Sequence, residues 1–192
     1  MGKNFYISDL HFDHKNVIKF DSRPFFTLED MNQTLINNWN SVVTKDDTVY
    51  ILGDFCWSKE DRWIEIMKQL NGNKQLIKGN HCLKKMSPKL RAMFQDVKDY
   101  KEITDSGKHV CMSHFPMMFY KSAWNPDNYM LCGHVHTTRE NDLLEQWTEM
   151  LRSTKTDSSY SYGNIINVGC MMPWMGYTPR TLDEILEAKG WK

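Results

Sequence analysis

Phe5-Tyr6-Ile7-Ser8-Asp9-Leu10-His11 and Tyr129-Met130-Leu131-Cys132-Gly133-His134-Val135-His136 are built alike: an apolar run of strand length stops abruptly in carboxylate or imidazole side chains. Val49-Tyr50-Ile51-Leu52-Gly53-Asp54, Gln75-Leu76-Ile77-Lys78-Gly79-Asn80-His81 and Val110-Cys111-Met112-Ser113-His114 repeat the pattern. Short apolar runs bounded by Gly, Asn or Asp read as buried strands. Six of the seven histidines (His11, His14, His81, His114, His134, His136) lie at or just after such a run. In α/β sheets, ligands bind beyond the carboxyl ends of strands, so the five runs predict one shared crevice. The i, i+2 pairs Asp9/His11 and His134/His136 would point the same way if the chain stays extended there. Any one of these motifs alone is an ordinary cap or a solvated polar group. Five in order, each at a strand end, are not explained that way.

Outward from these runs, strands are expected at Asn4 to Ser8, Thr48 to Leu52, Gln75 to Lys78, Val97 to Ile103, His109 to Ser113, Tyr129 to Cys132 and Asn164 to Val168. Leu28, Met31, Leu35, Trp39 and Val42 fall at helical steps after Thr27-Leu28-Glu29-Asp30, which resembles a capping box. Further helices are read at Glu60 to Leu70, Lys84 to Phe94, Asn141 to Leu151 and from Thr181. The alternation makes the chain mixed α/β. Without an internal repeat or a splitting linker, residues 1–192 read as a single domain, with Arg152 to Ser161 as a loop before the last strand. Phe20 to Phe26 and Met117 to Asn128, each rich in aromatics with Pro and a cation, read as loops following the histidine motifs.

Composition narrows the function classes. The 24 basic and 24 acidic residues cancel, which argues against a partner such as an extended nucleic acid held by bulk charge, so any phosphate recognition must be local. No stretch approaches the ~20 apolar residues of a membrane span. Met1 to Tyr6 lacks a signal-peptide core, and Tyr6 stands where a myristoylation motif wants Ser or Thr. The five cysteines are odd in number and have no CxxC spacing, favouring a reducing, cytoplasmic setting over a disulfide framework. Cys56, Cys82, Cys111 and Cys132 lie near the histidine motifs, and packing of small buried thiols is a plainer reading than redox sensing. His109, at a strand start, reads as a surface histidine.

The collected donors are Asp, Asn and His, with no thiolate, which suits Mn, Fe or Zn in an open, hydrolytic arrangement. So many ligands fit two divalent or transition metal ions better than one.

The series D-x-H (Asp9, His11), G-D (Asp54), G-N-H (Asn80, His81), H (His114) and G-H-x-H (His134, His136) resembles the calcineurin-like metallophosphoesterase family. The segments Asp9 to Asn16, Arg23-Pro24-Phe25, Asn167-Val168-Gly169 and Pro179 to Ile185 are similar to its short, cap-less bacterial and phage members. This resemblance implies an α/β fold, a four-layer α-β-β-α sandwich of two β-sheets flanked by helices. It also implies a dinuclear centre: Asp9, His11 and His136 on the first metal, Asp54 bridging, and Asn80, His114 and His134 on the second. His81 would be catalytic, protonating the leaving oxygen or stabilising its charge. The implied reaction is hydrolysis of a phosphodiester or phosphomonoester, a nucleotide among the candidates, by a metal-bridging hydroxide. A catalytically silent metal-binding scaffold and a nuclease of the same superfamily are the alternatives.

Two departures stand out. Cys82 follows Gly-Asn-His where the family commonly has an acid, and Asp13 replaces a frequent Gly; solvation is the preferred reading of Asp13. Beyond the ligands, His14 and Asn16 divide evenly between orienting a ligand or touching phosphate and simply starting a short helix. Arg23 is the leading phosphate-binding cation, with Lys121 and Arg139 behind it, for both of which a solvated surface cation is at least as good a reading. Phe119, Tyr120 and Trp124 offer base stacking or, more plainly, loop packing; Met171, Met172, Met175 and Trp174 read as core or rim filling.

Overall fold

Tyr6 and Ile7, fully buried, sit in β1 (Asn4–Ile7), an edge strand of the first of two sheets. The computed structural model describes residues 2–154 and 163–192. Beside β1 lie β2 (Thr48–Leu52), β3 (Asn73–Ile77) and β4 (Asp96–Lys98), all parallel and in that order. The second sheet runs β5 (Tyr100–Asp105), β6 (Lys108–Ser113), β7 (Asn128–Cys132) and β8 (Ile165–Asn167); only β5 is antiparallel to its neighbour. Most parallel connections are made over helices: α1 (Val17–Phe20) and α2 (Leu28–Val42) after β1, α3 (Glu60–Gln69) after β2, α4 (Pro88–Arg91) after β3, and α5 (Arg139–Ser153) after β7, whereas β6 and β7 are joined by a loop over 114–127. A last helix, α6 (Leu182–Ala188), follows β8.

Alternation along the second sheet shows how the layers stack. Val110, Met112, Tyr129 and Leu131 join the large core shared with the first sheet, whereas Cys111, Met130 and Cys132 face a smaller cluster containing Leu144 of α5. Leu35 and Trp39 of α2 and Trp63, Ile66 and Met67 of α3 belong to the large core. The result is the expected pair of sheets flanked by helices. The two sheets are joined where β1 runs out: Ser8 N–H donates to Val168 O (2.9 Å) and Cys170 N–H to Ser8 O (2.8 Å).

Local chemistry fixes the helix starts. Thr27 Oγ1 accepts from Asp30 N–H at 3.0 Å, while the Asp30 carboxylate accepts from Phe26 N–H, one residue earlier than in a capping box. Thr181 and Glu184 complete a full reciprocal box at α6.

Three expectations need correction. The apolar run Val97 to Ile103 is not one strand: the chain leaves β4 at Lys98, turns at Asp99 and enters the other sheet as β5. The helix expected over Lys84 to Phe94 shrinks to α4, because Ser87 caps it by accepting from Leu90 N–H and Pro88 occupies its first turn. Arg152 and Ser153 still belong to α5; the rest of the loop read over Arg152 to Ser161 lies, beyond Thr154, outside the described residues.

Candidate metal centre

Beyond the carboxyl ends of β1, β2 and β3 in one sheet and β6 and β7 in the other, the chain makes sharp turns. Asp9, His11, Asp54, His134 and His136 all have φ between 45° and 72°, the left-handed region that non-glycine residues enter at a cost. Asp9/His11 and His134/His136 are therefore brought together by tight turns, not by the alternation of an extended chain. Close approach needs glycines: a Cβ on Gly79 would lie 2.2 Å from Asp54 Oδ1, and one on Gly133 would lie 2.3 Å from Asp9 Oδ2.

All seven expected ligands meet here. On one side, His11 Nε2 lies 3.6 Å from Asp54 Oδ2 and 4.0 Å from Asp9 Oδ1, and His136 Nε2 lies 3.6 Å from Asp9 Oδ1. On the other, Asn80 Oδ1 is 2.9 Å from His114 Nε2 and 3.0 Å from His134 Nδ1, with His114 Nε2 3.5 Å from Asp54 Oδ2. Asp54 Oδ2 thus stands between the two groups.

The surrounding hydrogen bonds decide which atoms face the cleft. His114 Nδ1 donates to Leu52 O (2.8 Å), so its Nε2 presents a lone pair to another acceptor, Asn80 Oδ1. His136 Nδ1 donates to the Asp21 carboxylate (2.9 Å), leaving its Nε2 bare opposite Asp9. Asp9 Oδ2 accepts from His134 N–H (3.0 Å) and lies 2.7 Å from Ser8 Oγ, while Asp9 Oδ1 and His11 Nε2 are buried with no partner. Buried lone pairs converging without protons between them are costly unless a cation is bound. This is a physical fit to metal ions. Asp9, His11 and His136 form one compact donor group, and Asp9, Asp54 and His114 another. A third group, Glu102, His109 and Cys111, spans the β5–β6 hairpin, where Lys121 and Tyr100 already occupy both Glu102 oxygens.

The electrostatics agree. Burial, helped by nearby His136 and Arg23, holds the His11 imidazole down to about 2, so it stays a neutral donor. Burial also lowers His14 and His134. Burial would lower His136 too, but the Asp21 hydrogen bond and the Asp9 and Asp21 charges outweigh it and its pKa rises. Asp54 is raised, chiefly by burial, with the Asp9 charge adding and His114 opposing.

The other expected residues divide. His14 Nδ1 lies 3.2 Å from His11 Nδ1 and its ring stacks on Trp57, so it can orient His11. Asn16 begins α1, but its side chain makes no capping bond and lines a cavity beside the centre. His81 is exposed at the mouth, its backbone N–H donating to Asp54 Oδ1 (2.9 Å) and its ring 4.5 Å from Trp57. Arg23 is not a phosphate-binding cation. Its side chain is fully buried, bonded to Asp21, Asp9 O and Leu10 O, because the tight turn after β1 leaves carbonyls that need a donor. Lys121 pairs with Glu102. Asp13 is not solvated: it binds Arg62 through two bonds and accepts from Asn32, joining the turn after β1 to α2 and α3. His109 is half-buried, 3.3 Å from Glu102, and is not a free surface histidine. Tyr120 is buried, its hydroxyl donating to Asn128 O, so it packs the loop and has no face for a base.

Sequence reasoning missed Asp21 and Trp57. Asp21 offered the weak signal of an acid two residues before Arg23; Trp57 offered its place just beyond Gly53-Asp54. Where an acid was expected, Cys82 Sγ accepts from Gly79 N–H, and burial pushes its thiol up to about 11. Burial likewise pushes Cys56 and Cys170 up to about 12, which fits packing and not redox sensing. Met171, Met172 and Met175 are buried in the core, as expected. No helix among the described residues is long and apolar enough to cross a membrane.

Comparison with known proteins agrees with this geometry. The chain is 39% identical over 138 residues to an uncharacterized protein of Methanocaldococcus jannaschii, covering 71% of this chain and 70% of that one. It is 27% identical over 212 residues to the gene 66 protein of Mycobacterium phage D29, covering 97% and 96% of the two chains. A crystal structure of a protein of unknown function from Aquifex aeolicus superposes with a TM-score of 0.71 at 27% identity, over 97% of this chain and 99% of that one. Residues 5–159 match the family model described as calcineurin-like phosphoesterase, and with the converging donors at five strand ends this makes the chain a member of the calcineurin-like phosphoesterase family.

Proposed function

We propose that the protein hydrolyses a phosphodiester or phosphomonoester at a two-metal centre. The observation that carries this reading is the pair of lone-pair clusters sharing Asp54 Oδ2. Asp9, His11 and His136 would hold one ion, Asn80, His114 and His134 the other, and Asp54 both. Two divalent ions of Mn, Fe or Zn bound there would supply a nucleophile at neutral pH and neutralise charge on the phosphoryl oxygens.

The chain's own groups do the rest. Ser8 and the His134 N–H pin one oxygen of Asp9 so that the other faces the cleft. Asp21 and Leu52 O fix the tautomers of His136 and His114. His81, exposed at the mouth beside His11 and tied through its backbone N–H to Asp54, would give a proton to the leaving oxygen. With Arg23 buried, phosphate recognition would fall to the metal centre, with exposed Arg139 the guanidinium that remains among the sequence's candidates.

The test is hydrolysis of mono- and bis-(p-nitrophenyl) phosphate by metal-reconstituted protein. Turnover that His81→Ala lowers by about 10²–10⁴-fold with metal content unchanged is the expected result. No turnover of either ester by fully loaded protein contradicts the reading and leaves a metal-binding scaffold.

A further inference from the structure

A cavity of about 390 Å³ opens against the first-metal side of the centre and is lined by His11, His81 and His136 at its inner end and by His14, Asn16, Phe20 and Trp57 beyond them. That is the size of a small-ligand site. Two larger cavities, of 590 and 510 Å³, contain none of the centre's residues. Trp57 is 47% and Phe20 69% exposed, large apolar surfaces left uncovered next to buried carboxylates.

The wall is aromatic and held in place, with Trp57 and Phe20 roughly perpendicular to each other against His14. Trp57 lies face to face with His14 (centroids 4.1 Å apart, planes 10° apart), and Phe20 stands edge-on to His14 at 5.8 Å. The Trp57 backbone N–H donates to Phe12 O at 2.8 Å, beside the Phe12–Cys56 bridge that anchors the chain after β2. At the same cavity, the Asn16 amide has no side-chain capping bond and can pair with a polar edge. The lining contains no Lys or Arg, so it offers nothing to a second phosphate group.

Resting on the phosphoesterase reading above, we infer that this cavity takes the nucleobase of the substrate's leaving alcohol, so that the substrate is a nucleoside phosphoester. His81 opens onto the same cavity, so an ester oxygen protonated by His81 directs its organic group onto Trp57 and Phe20. In the reaction the bond from phosphorus to the nucleoside oxygen breaks, water's OH goes to phosphorus and its proton ends on that oxygen. The base stacks on Trp57 and packs against Phe20, which stands roughly perpendicular to it, and Asn16 meets its hydrogen-bonding edge.

Two measurements test this separately. In metal-reconstituted protein, kcat/KM for adenosine 5′-phosphate and its methyl diester is compared with that for the same esters of base-free ribose, which have the same leaving oxygen. The expected preference is about tenfold or more, the size of one base–aromatic stack, and Trp57→Leu and Phe20→Ala each bring the ratio toward one. In metal-free protein, adenosine but not ribose should quench tryptophan fluorescence, and Trp57→Leu should remove that quench. Turnover without a base preference overturns the subsite alone. Equal preference for a hexyl phosphate shows a merely apolar pocket and also overturns it. Nucleoside binding without turnover of any ester overturns the hydrolase reading beneath it. Phe20→Ala, at an exposed side chain, keeps the ratio measurable if Trp57→Leu fails to fold.

Discussion

Replacing Asp21 with Asn removes the negative charge that pairs with buried Arg23. The two side chains are 1% and 0% exposed, joined by Nε and Nη2 contacts of 2.9 Å each, and the same carboxylate accepts from His136 Nδ1. Breaking one partner of a buried pair costs about 3–5 kcal/mol, because the other charge is left unpaired. Arg23 keeps the carbonyls of Asp9 and Leu10, and asparagine keeps one acceptor oxygen, so the lower end, about 3 kcal/mol, is expected. For a chain of this size that is roughly a 6–12 °C fall in Tm. His136 also loses its fixed tautomer, which should weaken metal affinity on the Asp9 side about 10- to 100-fold. Urea unfolding read as a shift in midpoint at constant slope measures the first effect, and metal titration the second. A stability change under about 1 kcal/mol with unaltered metal affinity would refute the claim that Asp21 couples the buried arginine to the centre.

Other perturbations follow from the same geometry. Gly133→Ala places a methyl 1.9 Å from Ser8 Oγ and 2.3 Å from Asp9 Oδ2, so metal content should fall along with about 1–3 kcal/mol of stability, measured by elemental analysis and denaturant melts. His14→Ala frees His11 Nδ1 and should weaken metal binding about tenfold or more by titration; unchanged affinity would make His14 only a packing partner of Trp57. Asp47 accepts from Lys3 N–H, Thr44 N–H and Thr44 Oγ1, each at 2.7 Å; its burial works against ionisation, yet these bonds hold its pKa below the usual value. Its folded pKa is depressed, so its contribution is present above the ordinary aspartate value near 3.9 and is lost as pH falls through the folded pKa. Asp47→Asn should flatten that part of the acid unfolding profile, and an identical profile would show that Asp47 carries none of it.

The candidate metal donors were legible because each lies at or just after the end of an apolar run, and the runs themselves set the two sheets. What joins them was less visible. The Val97 to Ile103 run carries no Gly or Pro at Asp99, so the step from one sheet to the other leaves no local mark in the sequence. Arg23 looked like a phosphate ligand because an arginine beside a loop is usually exposed. Here the turn that gives Asp9 and His11 their positive φ leaves Asp9 O and Leu10 O to be satisfied, and the arginine is drawn inward. Asp21 and Trp57 depend on contacts 115 and 43 residues away in the chain, to His136 and His14 respectively, or on a ring stack, and neither has a sequence period. The start of α4 is misplaced although its signal is there: Ser87-Pro88 is a cap followed by the residue best suited to a first turn, yet the sequence reading starts the helix at Lys84.

Two clusters of lone pairs share Asp54. Metal content after reconstitution, measured in the native chain, Asp54→Ala and His136→Ala, tests the sharing most directly. About two ions per chain are expected in the native protein, about one in His136→Ala, and loss of tight binding at both positions in Asp54→Ala. A single ion in the native protein, or an Asp54→Ala chain that keeps both, would contradict a shared two-metal centre.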